Sequence, residues 1–115
     1  MTNPLPSELS THQCVPCEGG VEPLTREEFS IYLEQLPEWK VIEDKVIERE
    51  FTLKNFAAAI TFINKVAEIA ESEGHHPDLQ LHSYKKVKVI LSTHAINGLS
   101  VNDFVMAVKI DALHD

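Results

Sequence analysis

The stretch AESEGHHPDLQLHSYKKVKVILSTH, residues 70–94, changes its apolar rhythm partway along. Upstream of it, Phe56, Ile60, Ile63, Ala67 and Ala70 recur at steps of four, three, four and three, the spacing of one helix face. Phe62, Val66 and Ile69 run beside them, so the apolar sector is wide and buries more than one side. Gly74 supplies a helix stop after Glu73, and Pro77 forbids any return to the helix. Beyond Pro77 the period drops to two. Leu79, Leu81 and Ser83 alternate with Gln80, His82 and Tyr84; Val87, Val89, Leu91 and Thr93 alternate with Lys88, Ile90, Ser92 and His94. Each run reads as a strand with one buried face. A helix therefore feeds a pair of strands through a four-residue corner that carries two adjacent histidines.

Working outward, the same grammar repeats. Trp39 to Glu43 and Val46 to Phe51 are short and rich in β-branched and aromatic residues, with Glu43-Asp44-Lys45 as the turn of a hairpin. Thr52 is expected to open the long helix, with Phe51 and Phe56 as its hydrophobic staple. Ahead of the hairpin, Thr25 and Glu28 form a capping box and Leu24 and Phe29 a staple, so a helix is expected over 25–35, stopped by Pro37. After the second strand pair, Asn97-Gly98 marks a turn. Ser100 and Asp103 then form another capping box, with Leu99 and Phe104 as staple. Phe104, Val105, Ala107, Val108 and Leu113 supply the apolar side of the last helix. The order α-β-β-α-β-β-α implies an α+β fold: a four-stranded antiparallel sheet with helices packed on one face. Residues 24–115 are expected to form one domain, and residues 1–23, with four prolines and Gly19-Gly20, an extended or flexible N-terminal arm.

Composition narrows the function. The 115 residues are 43% hydrophobic and 24% charged, ordinary for one soluble domain. A net charge of −8 disfavours direct nucleic-acid binding, which needs clustered Lys and Arg. No apolar run approaches the roughly 20 residues that span a bilayer, and Met1 to Ser10 lacks the pattern of a secretory signal, so the expected location is the cytoplasm. Cys14 and Cys17 make a lone Cys-x-x-Cys. A metal or redox role needs more than this: a structural zinc takes four ligands, His12 offers a third, and no fourth is evident. The other reading is a surface element of the arm.

The titratable residues gather at element ends. His75 and His76 leave the long helix, His94 closes the last strand, and Asp103 opens the last helix. Side chains from such positions converge on clefts. Glu71, one helical turn before His75, is placed to orient it. Histidine titrates near pH 6.5, so several imidazoles with carboxylate orienters suit general acid–base chemistry. Other readings stand beside this one. Asp103 can be only a cap, Glu71 a solvated helix charge, and the histidines turn residues or zinc ligands, although adjacent side chains seldom aim at one metal.

Together these residues resemble the signature of the pterin-4a-carbinolamine dehydratases: Glu71, then His75-His76-Pro77, then Tyr84, His94 and Asp103, all in register. Leu36-Pro37-Glu38-Trp39, Leu91-Ser92-Thr93-His94 and Gly98-Leu99-Ser100 look like the family too, over about residues 24–111. The resemblance implies dehydration of 4a-hydroxytetrahydropterin to quinonoid dihydropterin and water, which recycles the tetrahydropterin of aromatic amino-acid hydroxylases, with no metal or organic cofactor. It implies that His75, His76 and His94 serve as acid and base. Glu71 and Asp103 would line or support the pocket, and backbone around Ser92 and Thr93 would hold the pterin. It also implies a homodimer or homotetramer. The same family includes protein-binding members, a transcriptional coactivator and assembly factors with eroded sites, so a non-catalytic module with a further protein partner is the alternative. Leu79 departs from the aromatic or β-branched residue that many relatives have after the His-His-Pro.

Overall fold

The computed structural model describes residues 3–15 and 22–114. Cys17 and the Gly19-Gly20 pair lie outside the described residues, as do Met1, Thr2 and Asp115. The elements are α1 (Arg26–Leu33), β1 (Lys40–Ile42), β2 (Val46–Thr52), α2 (Phe56–Glu73), β3 (Asp78–His82), β4 (Lys86–Leu91) and α3 (Val101–His114). Short 3-10 turns occupy Pro6–Glu8 and His94–Ile96. The four strands form one antiparallel sheet, as the alternation implies, and their order in it is β1-β2-β4-β3.

Register explains the layering. Val41 pairs with Ile47, Ile47 with Leu91, Phe51 with Val87, and Val87 and Val89 with Leu81 and Leu79. Side chains alternate along a strand, so all of these share one face. Ile47, Phe51, Val87, Val89 and Leu91 on that face are at most 1% exposed. The other face carries Glu48, Glu50, Gln80, His82, Lys86 and Lys88, with ion pairs from Lys88 to Glu48 (3.2 Å) and from His82 to Glu50. The helices cover the apolar face. α3 touches α1, α2 and β4 and buries Asn102 through Ala107 and Ile110, so it lies at the centre of the molecule. Phe104 stacks on Phe29 of α1 (6.1 Å between centroids) and Tyr32 (5.4 Å), while Phe51 of β2 meets Phe62 of α2 at 4.8 Å.

Three local expectations change. α2 begins at Phe56, not Thr52: Thr52 is still paired with Lys86 in the sheet, and Asn55 is the cap, its side chain accepting from Ala58 N–H at 2.8 Å. The inward face of α2 is Ala59, Phe62, Val66 and Ala70, whereas Phe56 and Ile60 are 53% and 38% exposed. Of the expected capping box on α3, only the carboxylate half forms. Asp103 Oδ2 accepts from Ser100 N–H (3.0 Å), but the Ser100 hydroxyl meets Thr93 Oγ1 (2.7 Å).

The segment expected to be an arm lies against the domain over its described part. Leu9 is 0% exposed in the core, and the Tyr32 hydroxyl donates to Pro4 C=O at 2.8 Å. Its polarity and prolines conceal a single apolar anchor.

Candidate active site

α2 delivers the first wall. Gly74 sits at φ 67°, the left-handed conformation that ends a helix without a Cβ penalty, and its N–H closes on Ala70 C=O at 2.9 Å. That reversal decides where the two histidines go. His75 turns inward, with its side chain 12% exposed, and its Nε2 meets Asp103 Oδ1 at 2.7 Å. His76 turns outward, 63% exposed, and its Nε2 pairs with Glu71 Oε2. Glu71 therefore orients His76 rather than His75. The one-turn spacing to His75 holds only while the helix continues, and the left-handed residue at 74 rotates the chain before either imidazole is placed.

The second wall comes from the chain after β4. Thr93 bridges to Gly98 through paired backbone hydrogen bonds, and His94 begins the 3-10 turn that fills the loop between them. His94 thus leaves from a turn after the strand, not from its last residue. Gly98 is needed for packing, since a Cβ there would lie 2.7 Å from Pro23 Cβ.

Asp103 joins the walls from behind. It is 0% exposed. Oδ2 accepts from Thr93 Oγ1 (2.8 Å) and Ser100 N–H (3.0 Å), and Oδ1 meets His75. Thr93 has one hydroxyl proton, and it goes to the carboxylate; Ser100 therefore donates to Thr93. With Asp103 the acceptor throughout, Nε2 of His75 is the donor in their hydrogen bond. Asp103 thus caps the start of α3 through Oδ2 and holds His75 through Oδ1.

The resulting cleft has a volume of about 440 Å³, within the usual span for small-molecule sites. His75, His76, His94, Ser92 and Thr93 all line it. Asp103 stands behind His75, and Glu71 faces the adjoining groove over α2 and Leu79. Pro77, the last residue of the corner, lines the cleft as well, and so do Val15, Asp78, Ala95 and Asn102, which the sequence reading did not single out. Among the described residues, no three His, Cys, Asp or Glu side chains converge to hold a metal ion. None of their helices is long and apolar enough to cross a membrane.

Comparison with known proteins gives the family. The family described as pterin 4 alpha carbinolamine dehydratase matches residues 22–113. A protein of Alkaliphilus metalliredigens provisionally named pterin-4-alpha-carbinolamine dehydratase is 49% identical, over 91% of this chain and 95% of its own length. A counterpart of the same provisional name in Halorhodospira halophila is 46% identical over 91% and 96%. The crystal structure of a transcriptional coactivator/pterin dehydratase from Brucella melitensis matches with TM-score 0.76 at 34% identity, across 82% of this chain and all of that one. A pterin dehydratase-like RuBisCO assembly factor of the alpha-carboxysome matches at TM-score 0.57 and 19% identity, over 67% of this chain and 89% of that one, a likeness of fold alone.

Proposed function

This chain belongs to the pterin-4a-carbinolamine dehydratase family, and from that premise we propose that it dehydrates 4a-hydroxytetrahydropterin to quinonoid dihydropterin and water. The observation that carries the reading is the meeting of His75, His76 and His94 around one cleft, with His75 held by a buried carboxylate.

In the reaction the C4a–O bond breaks, the hydroxyl leaves as water, and the N5 electron pair forms the new C=N bond as the N5 proton departs. A protonated imidazole gives the proton that the leaving hydroxyl needs; a neutral one takes the N5 proton. His75, with Nε2–H directed at Asp103, presents Nδ1 in a fixed orientation and suits the base. His76 and His94 stand on the open side and suit proton delivery, exchanging with solvent between turnovers. Polar groups around Ser92 and Thr93 hold the pterin ring. One proton is given and one is taken in each cycle, so the dehydration proceeds without net consumption of acid or base; returning the quinonoid dihydropterin to tetrahydropterin is a separate two-electron reduction.

The test is direct. Purified protein should accelerate dehydration of synthetic 4a-hydroxytetrahydropterin near neutral pH. His76→Ala and His94→Ala should each lower that acceleration by about 10²–10⁴-fold while circular dichroism stays unchanged. A wild-type rate equal to the uncatalysed one would end the enzymatic reading. It would leave the protein-binding alternative, for which the exposed Phe56 and Ile60 on α2 supply surface. The same surface supports a homodimer or homotetramer, measurable by light scattering.

A further inference from the structure

Residues 3–15 lie outside the span 22–113 that the family model matches, and the chemistry above makes no use of them, yet they reach the cleft at Val15. From its anchor at Leu9 the chain crosses to the last turn of α2 and the first turn of α3. Cys14 N–H donates to Glu73 Oε1 at 2.8 Å, and Lys109 Nζ holds the other oxygen of that carboxylate at 2.8 Å. Val15 N–H donates to Asn102 Oδ1 at 3.0 Å, and Asn102 Nδ2 donates to Val15 C=O at 2.6 Å. One side-chain amide thus engages both backbone polar groups of Val15, as a neighbouring strand would. Asn102 is 3% exposed, so the clamp is built into the core of the molecule. Val15 itself is 55% exposed and lines the cleft with the three histidines.

We propose that the Cys14–Val15 strap is a substrate-contacting wall, in which Val15 limits the substituent carried by the pterin at C6 and Asn102 is the positioning residue that holds Val15 in place. The inference rests on the dehydratase reading. The pterin ring concentrates its hydrogen-bonding groups on the pyrimidine half and on N5, and these require the polar lining of the cleft. That lining comes from the α2–β3 corner and the segment after β4. The substituent at C6, next to N5, is the part of the molecule that differs in size from one pterin to another, so its extent is open to steric limitation by the aliphatic part of the lining. Among the described residues, Val15 is the one branched aliphatic residue lining the cleft, the other apolar members being Pro77 and Ala95. A branched side chain pinned through its own backbone is a firm steric limit, because it cannot retreat without breaking both Asn102 hydrogen bonds.

The experiment compares two substrates, the 4a-hydroxytetrahydropterins bearing a methyl or a dihydroxypropyl group at C6, on the full chain. Wild-type turnover of either one checks the dehydratase reading separately. Val15→Trp should lower kcat/KM for the dihydroxypropyl substrate at least about tenfold more than for the methyl one, chiefly through KM. Val15→Ala should move the ratio the other way, and Asn102→Ala should move it in the same direction as Val15→Ala by releasing the strap. An active wild type whose substrate ratio is the same in folded Val15→Trp and Val15→Ala overturns the strap proposal and leaves the dehydratase reading standing. A wild type inactive on both substrates overturns the two together.

Discussion

Asp103 is the residue on which most depends, because each of its oxygens has a separate task. Replacing it by Asn retains the shape but puts an NH2 group where a hydroxyl and a backbone N–H donate, or where His75 does. Asp103→Asn should therefore cost about 1–3 kcal/mol of stability, read by urea denaturation, and should also slow dehydration, since His75 loses its orienting acceptor. Glu71→Gln should leave stability within about 1 kcal/mol, because the Glu71–His76 pair is open to water, with side chains 76% and 63% exposed. Glu73 gives a pH signature of its own. Burial pushes its pKa up, but the Lys109 hydrogen bond and the Cys14 N–H outweigh this and hold it below its ordinary value of 4.5. A depressed carboxylate contributes stability that is complete above the unfolded value and is lost as pH falls through the folded one. The difference in urea midpoint between wild type and Glu73→Gln should be widest at pH 7 and shrink below about pH 4; a constant difference would exclude this role. The neighbouring thiol goes the other way. Burial first, and then the charge of Glu73, push Cys14 up to about 12, so with Cys17 replaced by Ser the protein should resist alkylation at pH 8 until it is unfolded. At this scale the sequence showed which residues gather at the cleft better than how they pair. His75, His76, His94 and Asp103 could be picked out as titratable residues at element ends. Their partners could not, because pairing depends on side-chain direction, and the left-handed turn at Gly74 redirects both imidazoles.

Two glycines set the elements that carry the site. Gly74 has open space around a Cβ, so its cost on substitution is conformational: Gly74→Ala should lose about 1–2 kcal/mol. Gly98 has an ordinary φ but no space, so Gly98→Ala should cost about 1–3 kcal/mol through overpacking against Pro23. Thermal melts of the two variants separate the causes if Pro23→Gly, which removes both the Cβ and the Cγ that a side chain at 98 would meet, rescues Gly98→Ala and not Gly74→Ala. Periodicity and caps carried most of the element boundaries. Thr25 and Glu28 form the expected capping box, and the strands alternate as read. Thr52 misled because threonine serves both a strand and a cap, and only the pairing with Lys86 decides between them. The hairpin turns are also poorly marked. Glu43, Asp44, Ser83 and Tyr84 all adopt positive φ near 50–60° without a glycine among them, conformations for which sequence offers its clearest signal through Gly or Asn. The α2 stripe misled for a different reason. Two apolar faces lie side by side on that helix, and helical spacing alone does not say which one turns inward.

For the molecule as a whole, the antiparallel sheet and the single helix layer were legible because apolar and polar residues largely alternate along the strands; the strand order was not, because alternation does not say which strands are neighbours. The N-terminal segment was not legible. A proline-bearing polar stretch carries no periodicity, and a single leucine is enough to dock it. The strap's hydrogen bonds join residues 59 and 87 positions apart in sequence, among the longest loops that this chain has to close. Local contacts in the helices and hairpins close at lower entropic cost and form earlier. The cleft should therefore be completed after the sheet and helices that support it. In refolding from urea, far-ultraviolet circular dichroism should recover first. Full discrimination between the two C6 substituents, and protection of the Cys14 thiol, should follow as one later phase. Selectivity would then report how far folding has gone, and a chain still finishing its fold would be a less selective enzyme before it is a fully stable one.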